Sequence, residues 1–375
     1  MPLQTPIMKQ NWSEPSSVRL EAPTGRYRPA VGLSLLDQWD FIMTLTTQYL
    51  GMTLKNPIVA SASPLNGRID NLRRLEDAGA GAVVLPSLFQ EQIEAEAEMY
   101  ASRVEAYAES FPEALSYFPG AASGPYGMYP DRYLELVRRS KTAVSIPVIA
   151  SLNGSSKAGW IEYATLIEQA GAAAIELNMY HVPADLLESG EDIEARYREI
   201  VRAVCASVAL PVSIKLTPYL SAIGHTAEAL VQRGAAGLVL FNRSVQPDID
   251  LLPIRLADTL HLSDPAELRL PLLWIAILAG RTTASLAAST GVSSVADVVK
   301  CLLAGADVAM TTSALLRNGI DYMSTLTTGL RQWMQEREIA AVSEMRGMMS
   351  WQRSRDRSVY TRANYLRILE HYATT

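Results

Sequence analysis

From Met43 onward the chain alternates between two patterns of apolar residues. In one, apolar positions recur every three or four residues, as a helix with one buried face requires. In the other, a short run of consecutive residues is apolar and largely β-branched, with no polar alternation. That suits a parallel strand covered on both faces. A recurring phrase joins them, in which the helical stretch ends in Ala-Gly or Gly-Ala and the apolar run follows at once. It occurs at Glu76-Asp77-Ala78-Gly79-Ala80, Glu168-Gln169-Ala170-Gly171-Ala172, Gln232-Arg233-Gly234-Ala235-Ala236 and Leu303-Ala304-Gly305-Ala306-Asp307. Glycine there supplies the left-handed cap a helix needs before the chain reverses.

This pattern predicts eight strands, at 57–61, 82–86, 147–152, 174–178, 211–216, 238–242, 286–290 and 308–312. Helices are expected between them, for example over 131–142, 158–169, 193–207 and 296–303. Eight β/α units in succession point to an α/β protein of the closed (β/α)8 TIM-barrel type. An open, doubly wound sheet is the alternative, but its phosphate-binding turn would follow the first strand. Here the turns suited to phosphate follow the last two. Two connections are longer than a plain β–α link, an extended excursion after strand two and a second over 243–268. The first is expected to hold a helix over 90–109 and a Gly/Pro/aromatic loop; both are candidate lids.

Residues 1–42 carry five prolines and little apolar periodicity, so a poorly ordered leader is expected, with the barrel over 43–335 and a helical extension over 336–375. Met43 is the expected natural start, a point that the intact mass of the natively expressed protein would check. The Arg-rich tail is expected to pack under the barrel or at a subunit contact. A net charge of −6 offers no basic field for nucleic acid or an anionic membrane. The longest apolar run, 270–279, is too short to span a bilayer. Two cysteines, Cys205 and Cys301, are too few for an iron–sulfur cluster or a zinc site, and four scattered histidines form no metal motif. A reduced, cytoplasmic setting and no metal are therefore expected.

Polar residues that end apolar strands converge on the mouth of a barrel, where such folds place their chemistry. Strand one ends in Ala60-Ser61-Ala62-Ser63-Pro64, small enough for a flat ring to lie across it, and strand two in Pro86-Ser87. Asn153, Asn178 and Asn242 end strands three, four and six, a set of amides suited to the polar edge of a heterocycle. The stretch 285–316 reads strand, turn, helix, strand, turn, and its turns 289–294 and 311–313 each open a helix. Helix N-termini present unpaired N–H groups, a seat for phosphate; the plain alternative is two turns capped by Ser and Thr. Only six of the 33 basic residues are lysines, and Lys215 alone lies inside an apolar strand. A buried lysine must be paired or altered in its protonation, so it is costly unless used. It would serve as a cation beside an electron-rich ring or as a Schiff-base nucleophile.

The sequence resembles the dihydroorotate dehydrogenase family of FMN-binding barrels, from about residue 44 to 330. The likeness is carried by LKNPIVASASP near the start, ELN at strand four, VSIKLTPY at strand five and the stretch 285–316. It implies that Ala62, Ser63 and Ser87 line FMN, that Asn153 and Asn178 contact its ring, and that Asn242 lies at its edge or the substrate's. It further implies that Lys215 sits where negative charge gathers on the ring, and that Gly291, Val292, Thr312 and Ser313 hold the phosphate. The implied reaction is oxidation of a small cyclic acid, dihydroorotate to orotate in pyrimidine biosynthesis, with a possible homodimer.

Three departures bear on the substrate. The family carries a Cys or Ser base after strand four in a phrase like N-x-S-C-P-N, whereas this chain reads Asn178-Met179-Tyr180-His181-Val182-Pro183. His181 or Tyr180 is expected to take the proton instead. The family's strand-two lysine is replaced by Pro86. No asparagine lies between Asn71 and Asn153 to match a substrate asparagine of the family, and Gly127 falls nearest. The alternatives are a flavoprotein with another substrate or no turnover, and an aldolase using Lys215.

Overall fold

The computed structural model describes residues 43–90, 130–154, 156–243, 247–257, 260–361 and 363–373. The expected leader 1–42, most of the excursion after strand two and Gly127 lie outside these residues. An antiparallel hairpin, β1 (Thr47–Tyr49) and β2 (Met52–Leu54), comes first. The barrel strands are β3 (Ile58–Ala60), β4 (Ala82–Phe89), β5 (Val148–Asn153), β6 (Ala174–Asn178), β7 (Val212–Leu216) and β8 (Gly237–Leu240). A small hairpin, β9 (Asp248–Asp250) and β10 (Arg255–Ala257), interrupts them, and β11 (Ser285–Ala288) and β12 (Val308–Thr311) complete the set. The eight barrel strands pair in parallel and close as β11-β12-β3-β4-β5-β6-β7-β8. The (β/α)8 expectation therefore holds, and the open sheet does not.

Strand positions agree with the apolar runs to within a residue or two, except at β4. Expected to stop at Pro86, it continues to Phe89, with a shift in register toward β5 between Val84 and Ser87. Proline has no N–H to give the ladder, so the strand bulges past it and resumes pairing. This brings Ser87 opposite Ser151 and Phe89 opposite Asn153.

Two cores separate cleanly. Inside the barrel, Val59, Ala82, Val84, Ile149, Ala174, Val239, Ala287, Val308 and Met310 stack with Tyr49, Leu50 and Leu54 of the first hairpin. That hairpin plugs the N-terminal end, since Thr47 Oγ1 donates to Asp307 O at 2.9 Å and Leu50 N to Ser285 Oγ at 3.0 Å. Gly237 makes the plug possible, because a Cβ there would come within 2.5 Å of Leu50 Cδ2. The larger core lies between strands and helices, with Leu72, Leu75, Ile167, Val201, Leu230 and Leu302 fully buried.

Beyond the helix Tyr322–Gln335 the chain passes beneath the barrel. There Gly347 N donates to Leu302 O, Met349 N to Leu303 O and Trp351 N to Ala276 O, while Arg346 pairs with Asp307. Among the described residues no helix is long and apolar enough to cross a membrane, and no His/Cys/Asp/Glu cluster could hold a metal.

Candidate functional site

The C-terminal ends of β3, β7, β8, β11 and β12 surround a cavity of about 250 Å³. Its walls include Ser61, Ala62, Ser63, Lys215, Asn242, Gly291, Val292, Thr312 and Ser313. Eight residues singled out by sequence thus meet at one cavity: Ala62, Ser63, Lys215, Asn242, Gly291, Val292, Thr312 and Ser313. The end of β3 is pinned from both sides. Ser61 N donates to Thr311 O, Thr312 Oγ1 donates to Ser61 O, and the fully buried Asn66 amide bridges Ser61 O and Val84 O.

Lys215 is buried on β7. Its Nζ lies 3.4 Å from Ser61 Oγ across the barrel and 3.4 Å from Glu176 Oε1 on β6. The lysine is therefore paired, as burial demands, and its ammonium borders the cavity.

The asparagines join a hydrogen-bonded row beside it. Asn242 Nδ2 donates to Asn178 Oδ1 at 2.7 Å, Asn178 Nδ2 to Ser87 Oγ at 3.4 Å, and Ser87 shares a 2.7 Å bond with Ser151. The row runs from β8 through β6 to β4 and β5, and such mutual bonds fix each amide's orientation. Asn153 is buried at the end of β5.

On the β11 side of the cavity the helix start differs from a simple open N-terminus. The helix Val295–Ala304 is closed by its own carboxylate, since Asp297 accepts from the N–H and hydroxyl of both Ser293 and Ser294. Burial pushes the Asp297 carboxyl up, but the hydrogen bonds from Ser294, Ser293 and Lys300 outweigh it and leave it below its ordinary value. The N–H groups and hydroxyls of Ser293 and Ser294 are thus engaged within the turn itself. Donors converge instead just before it, where Gly291 N reaches Ser263 Oγ at 3.4 Å, and Ser263 N and Oγ reach Ser313 Oγ at 3.0 and 2.8 Å.

Ser263 was not anticipated from sequence. It arrives on the return limb of the 243–268 excursion. Arg243 holds that limb through Glu267 and His261 O, and Arg317 holds it through Leu262 O. The one local signal was Asp264 followed three residues on by Glu267, which form a capping box that fixes Ser263 beside it. Gly291 has φ +78°, and a Cβ there would lie 2.6 Å from Leu268 N, so only glycine lets the limb pack so close.

The expected bases lie apart from this cavity. Tyr180 is half-buried and His181 exposed, on the loop between β6 and the helix Gly190–Ser207. His181 Nε2 lies 3.4 Å from Glu188 Oε2. Hydrogen bonding from Arg196, and secondarily from His181, holds the Glu188 carboxyl below its usual range. The loop thus carries an oriented imidazole at the rim rather than inside the cavity.

Comparison with known proteins follows the same lines. The family model described as dihydroorotate dehydrogenase matches residues 44–334. A putative dihydroorotate dehydrogenase A (fumarate) of Aeropyrum pernix is 26% identical over 77% of this chain and 92% of its own length. The catalytic subunit of a dihydroorotate dehydrogenase B (NAD(+)) of Methanocella arvoryzae is 27% identical over 79% of this chain and 95% of its own. A dihydroorotate dehydrogenase A (fumarate) of Limosilactobacillus reuteri reaches 32% identity over 44% of this chain and 56% of its own.

Proposed function

The chain belongs to the dihydroorotate dehydrogenase family and is an oxidoreductase, and on that premise we propose that it uses FMN to oxidise the CH–CH group of a small cyclic acid, foremost dihydroorotate to orotate. The observation that carries the proposal is the pairing of opposite chemistries in one cavity. A buried cation, Lys215, stands on its β7 side, and a cluster of N–H and hydroxyl donors lies beside the turns after β11 and β12.

That cluster suits the cofactor's phosphate. The N–H groups of Gly291 and Ser263 and the Ser263 hydroxyl converge there on two serine hydroxyl oxygens, Ser263 Oγ and Ser313 Oγ. Donors gathered on such weak acceptors fit an anion with several acceptor oxygens. Val292 and Thr312 border the same cavity, while Ala62 and Ser63 leave room for a flat ring. Bound FMN would supply the hydride acceptor. Lys215 would hold the ring edge at which negative charge builds, and Asn178 and Asn242, locked to each other, would orient ring and substrate, with Ser87 and Asn153 behind them.

Oxidation also requires that a proton leave the carbon next to the hydride donor. We assign that proton to the 179–189 loop, with His181 oriented by Glu188 as its acceptor and Tyr180 as the second candidate. The aldolase alternative gains nothing from the structure, since the Lys215 amine is engaged with a carboxylate. A role in pyrimidine biosynthesis, a cytoplasmic setting and a homodimer complete the proposal and rest on the family.

Anaerobic mixing with dihydroorotate is the test. The purified protein should be yellow, and the flavin absorbance should bleach on mixing. A colourless protein that ignores added FMN would defeat the reading, and bound FMN that stays oxidised would move the substrate elsewhere.

A further inference from the structure

Barrel interiors are filled in layers, and the layer beneath the mouth is ordinarily apolar. Here it carries a carboxylate. In the β6–β7 register Asn178 lies opposite Lys215 and Glu176 opposite Ser213, so Glu176 stands one layer deeper than the lysine it pairs with. It is completely buried, and its Oε2 has no hydrogen-bond partner among the described residues. The barrel interior is otherwise largely apolar, with Ala174, Ile149, Val84 and Val239 among its residues. The ionisable groups that feel its charge are Lys215, Tyr49 and Tyr133. Burial, with the Glu176 charge adding to it, pushes both phenols upward, so both stay neutral and neither balances the carboxylate.

A half-satisfied carboxylate is a costly way to fill a core, and breaking even with an apolar residue would be the ordinary outcome. What it does here is local. It holds Lys215 Nζ between Oε1 and Ser61 Oγ, and it offsets the ammonium's charge from directly below. Resting on the FMN reading above, we propose that Glu176 is a positioning residue that sets, through Lys215, how readily the bound flavin accepts electrons. With Glu176 ionised, part of the ammonium's field is spent on the carboxylate. Without that charge the same ammonium acts undivided on the ring, and reduction becomes easier.

The test uses the FMN-loaded protein and needs no substrate. The flavin's reduction equilibrium is measured against a redox dye, and FMN affinity by recovery of free-flavin fluorescence. Glu176→Gln keeps the shape and removes the charge. It should retain FMN and shift the equilibrium toward reduction on the order of tenfold, as expected for one unit charge several ångströms from the ring at intermediate dielectric. Lys215→Met should shift it the opposite way. Added to Lys215→Met, the Gln substitution should change little, because its effect on the ring acts through the lysine.

A purely structural role would lower the melting temperature and leave the equilibrium in place, which overturns the proposal. So would an equal shift in the Lys215→Met background. Should Glu176→Gln not fold, Glu176→Asp withdraws the carboxylate by one methylene and should shift the equilibrium with the same sign and smaller size; no shift counts against the proposal equally. Bound FMN with an unmoved equilibrium sinks this inference alone, whereas failure to bind FMN sinks the functional reading with it.

Discussion

Replacing Lys215 by methionine tests how the barrel tolerates its buried charge. Methionine keeps most of the side chain's volume and its apolar stem, so packing changes little. What disappears is the ammonium, and with it the only side-chain hydrogen bond Glu176 makes among the described residues, at 3.4 Å from a carboxylate side chain that is 1% exposed. Because Oε2 already has no partner, both carboxylate oxygens are then stranded. Removing one member of a buried pair costs about 3–5 kcal/mol, and protonation of the stranded carboxyl limits it to the lower end. For a domain of this size, about 3 kcal/mol corresponds to a fall of roughly 5 °C in melting temperature. Thermal unfolding followed by circular dichroism reads the effect. Lys215→Met with Glu176→Leu should recover most of the loss. A single variant that melts within about 1 °C of the native protein would refute the account, because no stranded carboxyl would then weigh on the fold.

Other substitutions test separate parts of the molecule. Asp297→Ala removes the acceptor for four donors at the start of the helix Val295–Ala304 and should cost about 2 kcal/mol, measured by urea unfolding. Since the Asp297 carboxyl lies below its ordinary value, its contribution is fully present above about pH 4 and is lost as pH falls through the folded value. The native protein's acid unfolding should therefore be blunted in that variant, and an identical acid limb would refute the cap. Gly291→Ala should weaken FMN binding about tenfold or more by pushing back the limb that carries Ser263, as read by fluorescence titration. His181→Ala should slow flavin reduction by dihydroorotate about 100-fold; an unchanged rate, with Tyr180→Phe slow instead, would transfer the role to Tyr180.

The eight strands were legible because each is a local event, an apolar run announced by a glycine-capped helix end. The cavity was legible for a related reason. A parallel barrel brings the last residues of its strands together, so naming the polar ones nearly names the mouth. This held for Lys215, Asn242 and Thr312, which border one cavity. It failed where the partner is distant in sequence. Ser263 reaches Ser313 across fifty positions, and nothing local to either marks the other. Asp297 sits in an ordinary capping pattern, yet its carboxylate decides which N–H groups of the turn remain available.

Glu176 shows the limit most clearly. In sequence it is one letter of ELN, indistinguishable from a residue at the rim. Period-two alternation places it on the same face as Asn178, but only the register with β7 shows that it lies one layer below and under the lysine. Strand-end polarity thus identifies a mouth without ranking depth, and depth decides the chemistry. At the rim Asn178 and Asn242 bond to each other and orient whatever enters the cavity. One layer down, a carboxylate has no solvent to screen it, so its charge must act on the lysine above. Of the sequence departures from the family, the changed base falls in the rim loop after β6 and the missing asparagine in the excursion after strand two, whereas Pro86 lies within β4 and Lys215 in the barrel interior. A barrel can change its loop chemistry cheaply, because loops are solvated and tolerant. It cannot exchange one member of a buried ion pair alone, so a buried residue such as Lys215 is easier to read from sequence than the chemistry of the rim loop.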